Sequence, residues 1–278
     1  MDSLISGSIA GIVADVATHP LGTVKTRLQV QGASASSLTR YGGVAQGLTR
    51  ILSREGVGAL YKGVGVVVAT AAPAQGLFFL GNDKAREALR PHLPAAAASF
   101  AAGCVAQLCG SLCWVPMDTV KERLQVEGQL KRGSKAELGG SWNAVRTILR
   151  REGLRGFYPA YWVHQATWAP FNGLFFAIYE ACKEYTNGLC SGVVAGVAAG
   201  FLTNPMDLVK TRLQVMRADP STFAYAGAFD CIGQILRREG PLAFLDGAIA
   251  RCATVAPRLT ICVLVKDAIA PGVKEVLG

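Results

Sequence analysis

Three segments of this 278-residue chain carry base and amide side chains at one repeated spacing, and two of them add an acid. The first holds Pro20, Gly22, Lys25, Arg27 and Gln29. The second holds Pro116, Asp118, Lys121, Arg123 and Gln125, and the third Pro205, Asp207, Lys210, Arg212 and Gln214. An acid and a lysine three residues apart share one helix face, so the pattern offers reversible charge pairing and no bond-making. Pairing within one helix contributes only about 0.2–0.5 kcal/mol. In a ring of three such helices, by contrast, the acid of one reaches the lysine of the next. Outside these segments the chain has no paired carboxylates, no metal-ligand spacing and no glycine loop placed after a strand to cradle phosphate. It therefore reads as a non-enzyme, with no cofactor and no metal implied.

The elements that position these residues are themselves repeated. The prolines stand 96 and 89 residues apart, and a second marker recurs in phase as Arg54-Glu55-Gly56, Arg151-Glu152-Gly153 and Arg238-Glu239-Gly240. Self-similarity of this kind points to one structural unit used three times. A hydrophobic share of 51%, only 17% charged residues and a mean hydropathy of +0.31 indicate a membrane protein and exclude a disordered chain. Stretches 63–82, 93–117, 156–179 and 185–206 lack Asp, Glu, Lys and Arg, and each is long enough to cross a hydrocarbon core of roughly 30 Å. Asp15 interrupts the corresponding first stretch, and Arg251 and Arg258 the last. Six spans, two per repeat, are expected.

Each signature proline is expected to kink its helix near the polar-loop end. Gly7 with Gly11, and Gly192, Gly196 and Gly200, are spaced for close helix contact. Between the two spans of a repeat lies a polar segment with a short amphipathic helix, for example Val44 to Ser53. Segment 21–62 has six basic residues and one acid, segment 117–155 nine and five, and segment 206–246 five of each. Nearly all of the net +9 charge thus falls on one face, which fits positive-inside orientation and contact with anionic lipid, and argues against nucleic acid.

Three copies of Pro-x-acid-x-x-Lys-x-Arg-x-Gln, covering essentially the whole chain, resemble the mitochondrial carrier family. The resemblance implies an all-α membrane protein over residues 1–278, with repeats of approximately 1–90, 91–187 and 188–278. It implies six transmembrane helices in a pseudo-threefold barrel with short matrix-side amphipathic helices, in the mitochondrial inner membrane. A single central site would take a small-molecule substrate by alternating access, and a monomer suffices. In the family's arrangement, matrix-side bridges close the cavity. Carried over, these are Asp118 with Lys210 and Asp207 with Lys25, braced by Gln29, Gln125 and Gln214. Gly22 occupies the acidic position of the first repeat, so Lys121 lacks its family partner. A second network, at the cytoplasmic ends of the even helices, implies Asp83 with Lys183 and Asp267 with Arg86. Only Tyr179-Glu180-Ala181-Cys182-Lys183 carries its full pattern, so this gate is expected to be weak.

The family's substrate-contact positions fall on Thr70, on Thr167 with Trp168, and on Thr254. Residues that differ among the repeats are better guides to an asymmetric ligand. These are Asp15, Gln107, His164, Arg251 and Arg258, which with Trp168 favour a zwitterionic or mixed-charge solute such as an amino acid or small cofactor. Packing remains an alternative for Trp168, hydrogen bonding within the bundle for His164, and a structural ion pair for Asp15 and Arg251. The missing acid at Gly22 also leaves open a transport-inactive carrier-fold scaffold or receptor. The eight cysteines form no CxxC and read as small packing residues. The opening Met1-Asp2-Ser3-Leu4 lacks the basic residues of a cleaved presequence, so the first apolar stretch is expected to be retained.

Overall fold

The computed structural model describes residues 2–33, 38, 40–130, 138–219 and 223–277. Lys131, Arg132, Lys135 and Glu137 of the second basic loop lie outside the described residues. Within them the chain is helical and forms no strand. The first repeat supplies α1 (Asp2–Val30), α2 (Val44–Glu55), α3 (Val57–Leu60) and α4 (Val64–Leu89). The second supplies α5 (Ala95–Glu127), α6 (Ser141–Glu152) and α7 (Tyr161–Cys182). The third supplies α8 (Gly188–Leu202), α9 (Asn204–Val215), α10 (Ala228–Arg238) and α11 (Ala248–Leu277).

The long helices follow one another around a closed circuit. α1 packs on α4, α4 on α5, α5 on α7, α7 on α8, α8 on α11, and α11 on α1 again. By length and apolarity alone, the stretches Val57–Leu89 and Pro241–Ile269 suffice to cross a membrane, and α8 with α9 adds a bent third candidate.

The signature prolines do not act alike. α1 runs unbroken through Pro20 and α5 through Pro116, whereas the third repeat breaks at Thr203 and turns by 65° between α8 and α9. Pro205 there opens a new helix, where its missing N–H costs nothing. The expected close approach at glycines is also uneven. A Cβ on Gly7, Gly11 or Gly192 would meet nothing within 4 Å, while one on Gly196 would strike Leu259 at 2.5 Å. Gly196 is thus the glycine that lets α8 approach α11.

Each repeat builds a small core where its amphipathic helix covers its signature segment. Ile51 of α2 packs with Val24 and Leu28, Ile148 of α6 with Val120 and Leu124, and Ile235 and Cys231 of α10 with Leu208, Val209 and Leu213. Burial pushes both the Cys231 thiol and the nearby Tyr225 phenol up to about 12. Cys104 and Cys190 are exposed, so packing does not account for those two. A fourth cluster ties the repeats together through Val30, Val126 and Val215, the residues that follow the three signature glutamines.

Candidate functional site

The two markers of each repeat meet in space. Arg27 forms a two-bond ion pair with Glu55, its Nη2 standing 2.7 Å from Oε2. Arg123 pairs with Glu152 at 2.5 and 3.1 Å, and Arg212 with Glu239, where Nη2 lies 2.8 Å from Oε2. Each guanidinium then reaches the following repeat. Arg27 Nε donates to the carbonyl of Gln125 at 2.8 Å, Arg123 Nε to that of Gln214 at 3.0 Å, and Arg212 Nε to that of Gln29 at 3.0 Å. The result is a cyclic belt of buried arginines, one per repeat, with every guanidinium nitrogen engaged in a hydrogen bond.

The lysine layer lies within one helical turn of this belt and is not regular. Lys25 Nζ stands 2.5 Å from Asp207 Oδ2, and Gln29 Nε2 donates to the same oxygen at 2.9 Å. Lys210 Nζ lies 3.3 Å from Asp118 Oδ2. Lys121 turns back on its own helix to Asp118 Oδ1 at 2.7 Å. A Cβ added at Gly22 would meet nothing within 4 Å. The glutamines do different work in consequence. Gln29 contacts a bridge acid, whereas Gln125 accepts from Thr26 Oγ1 at 2.9 Å and donates to Thr23 Oγ1 at 3.2 Å. Gln214, with its amide nitrogen turned toward Glu122, donates to that carboxylate at 2.6 Å.

The segments leading into α4, α7 and α11 dock onto this layer. His19 faces the carbonyl of Lys62 at 3.0 Å, and Asn204 Nδ2 donates to that of Phe244 at 2.8 Å. Thr23 and Thr119 donate to Leu60 and Phe157 at 2.8 and 3.0 Å. Gly63, at φ +87°, sits so close that a Cβ would come 2.9 Å from the Lys121 Cα, and only glycine meets both demands comfortably. Lys62 bridges from this point to Glu127 at 2.6 Å, an ion pair between the first and second repeats.

The substrate candidates divide into two groups. Arg251 Nη1 approaches Asp207 at 3.7 Å, and His164 Nδ1 approaches Asp118 at the same distance, so both lie against the acids of the lysine layer. Trp168 stands between His164 and Phe171, with centroids 6.1 and 5.2 Å away, and the Arg251 guanidinium lies 5.6 Å from the Phe171 ring. Both ring nitrogens of His164 and the Nη1 of Arg251 are buried without a hydrogen-bond partner. Asp15 and Arg258 instead pair with one another, Nε to Oδ1 at 2.5 Å, across α1 and α11. Gln107 reaches Ser111 on its own helix at 3.4 Å. Thr70, Thr167 and Thr254 each donate to the carbonyl four residues earlier, at 2.7, 2.8 and 2.8 Å. Those hydroxyls are already satisfied by the helix that carries them.

At the opposite end stand the acids and bases at the ends of α4, α7 and α11. Lys183 pairs with Glu180 one turn away, and neither Asp83 with Lys183 nor Asp267 with Arg86 forms an ion pair among the described residues. Among the described residues, one end of the circuit is thus tied by buried ion pairs between repeats, and neither expected pair closes the other.

The profile of the family described as mitochondrial carrier protein matches residues 1–93, 94–188 and 184–275, one match per repeat. The chain belongs to the mitochondrial carrier family. Its members are transporters, not enzymes. Among relatives of this carrier, mitochondrial substrate carrier family protein E of Dictyostelium discoideum is 35% identical over 91% of the chain and 90% of its own length. The human mitochondrial electrogenic aspartate/glutamate antiporter is 33% identical over 92% of the chain, which spans only 38% of that longer protein. A probable chloroplastic S-adenosylmethionine carrier of Arabidopsis thaliana is 33% identical over 88% of the chain and 67% of its own length.

Two kinds of residue here escaped the sequence reading. The pairing of Arg27, Arg123 and Arg212 with Glu55, Glu152 and Glu239 was signalled by markers recurring in phase. Glu122 stood out only as an acid where the other repeats have Thr26 and Thr211.

Proposed function

We propose that this carrier moves a small polar solute across the mitochondrial inner membrane by alternating access, and that the solute is amino-acid-like or a mixed-charge cofactor. The observation that carries this reading is the pair of buried, unsatisfied donors, His164 and Arg251, set against the ion-pair layer. Leaving such donors unbonded costs about 1–3 kcal/mol each, and a ligand carboxylate beside the Trp168–Phe171 surface would remove that cost. Relatives named for aspartate, glutamate and S-adenosylmethionine transport, all bearing an α-carboxylate, support the same class.

In this reading the six long segments form a barrel spanning the membrane, with α2, α6 and α10 on the matrix side. Exposed Phe229 (91%) and Trp142 (73%) on those short helices would contact lipid, anionic in view of the basic loops. Asp118, Lys121, Lys210, Asp207 and Lys25 act as the matrix gate, closed here, and Gln29, Gln125 and Gln214 brace the layer. Asp83, Arg86, Glu180, Lys183 and Asp267 act as the cytoplasmic gate, open here. Asp15 and Arg258 hold α1 to α11 until substrate or closure separates them. Each chain has its own cavity, so a monomer completes the site.

The test is uptake by proteoliposomes loaded in turn with amino acids, nucleotides, carboxylates and S-adenosyl compounds. Saturable uptake of an amino-acid-like solute, reduced at least tenfold by Arg251→Ala, is the expected result. Absence of flux for every solute in well-folded protein would overturn the proposal in favour of a scaffold.

A further inference from the structure

The lysine layer lacks one acid and contains another where none is needed by symmetry. Position 22 is glycine, although the corresponding positions of the other repeats are Asp118 and Asp207. Position 122 is glutamate, although the corresponding positions are Thr26 and Thr211. Both departures concern the same few side chains. Thr26 and Thr211 serve their neighbours by donating hydroxyl bonds to Gln125 and Gln29 at 2.9 and 3.0 Å. With the Gln214 amide oriented so that its nitrogen faces Glu122, as the facing oxygens require, the carboxylate keeps that connection at 2.6 Å and adds a negative charge. It is 2% exposed, and its Oε1 lies 3.6 Å from Lys210 Nζ.

The contacts form a relay. Without an acid at position 22, Lys121 has no partner on α1 and draws Asp118 by its own helix, Nζ to Oδ1 at 2.7 Å. Asp118 is then shared, since its other oxygen still faces Lys210 at 3.3 Å. Lys210 is 3% exposed and would be left with half a carboxylate, a costly state for a buried cation. Glu122 and, at 3.6 Å, Asp207 complete its surroundings. Three lysines thus face three acids, Asp118, Glu122 and Asp207, even though one acid has moved from α1 to α5.

We infer that Glu122 is the displaced third acid of the layer, a positioning residue that replaces the function missing at Gly22 by holding Lys210 while Asp118 serves Lys121. The inference rests on reading this layer as the closed gate, but its test needs neither a substrate nor transport. Thermal unfolding of purified protein is measured for Glu122→Thr, Gly22→Asp and the double variant. Glu122→Thr installs the residue found in the other repeats, and Gly22→Asp restores the regular motif at a position with room for a side chain.

The expected result is a melting temperature lowered by more than about 4 °C in Glu122→Thr, with most of that loss recovered on adding Gly22→Asp. Gly22→Asp alone should change it by less than half as much. Glu122→Asp should retain most of the stability, and Glu122→Gln, which keeps the size and the bond to Gln214, should not. Additive single effects, or an unperturbed Glu122→Gln, would overturn the inference. If Glu122→Thr does not yield folded protein, recovery of folded protein in the double variant is the supporting result and failure of both is the contrary one. Lack of uptake in liposomes would sink the transport proposal while leaving this coupling intact, so the two failures are distinguishable.

Discussion

The arginine belt and the lysine layer lie within one helical turn of each other on the same helices, yet only the first obeys the threefold pattern. In the belt, Arg27, Arg123 and Arg212 each take a glutamate from their own repeat and a backbone carbonyl from the next. In the lysine layer, Lys25 crosses to Asp207, Lys210 is shared among acids, and Lys121 stays on its own helix. The difference separates holding from switching. A belt that fixes each loop to its helix gains by being the same everywhere. On the proposed reading of the lysine layer as a gate that parts during transport, unequal strengths around the ring are tolerated and can tune it.

Breaking the belt should have the largest effect. Glu239→Ala leaves the fully buried Arg212 without its carboxylate, and truncation of one partner in such a pair costs roughly 3–5 kcal/mol. Thermal unfolding should show a drop on the order of 10 °C, with Glu55→Ala and Glu152→Ala close to it. Widely different losses among the three would break the symmetry claimed for the belt. Within the lysine layer, Lys25→Gln removes a charged contact between repeats and should cost about 1.5–3 kcal/mol. Lys121→Gln removes a contact between residues three apart on one helix and should cost well under about 1 kcal/mol. Chemical denaturation of the two variants side by side checks the order, and equal losses would show that Lys121 contributes across the interface after all.

Much of this arrangement was legible in the sequence because it is written three times. The recurrence of Pro20, Pro116 and Pro205 with their lysines and glutamines located one layer, and the in-phase Glu55, Glu152 and Glu239 marked its support. What remained hidden depends on the path of the chain between distant positions. Arg251 follows Asp207 by 44 residues, and nothing local announces that a turn at Gly247 brings it to that carboxylate. The prolines differ in what they do to helix continuity. Pro20 and Pro116 are accommodated in continuous helices, whereas the chain breaks at Thr203, where Asn204 is drawn to the carbonyls of Phe244 and Asp246. The sequence separation of 243 between Asp15 and Arg258 likewise concealed that they meet each other.

The central claim is that the Lys25–Asp207 contact must part for the carrier to work. Cysteines placed at positions 25 and 207 of a protein stripped of its other cysteines, joined by a short cleavable bismaleimide, test it in proteoliposomes supplied with the solute that the wild type transports. The account predicts reduced but measurable uptake in the unlinked variant, its loss on cross-linking, and its return to the unlinked level when the linker is cleaved. Unchanged uptake with the cross-link complete would contradict it.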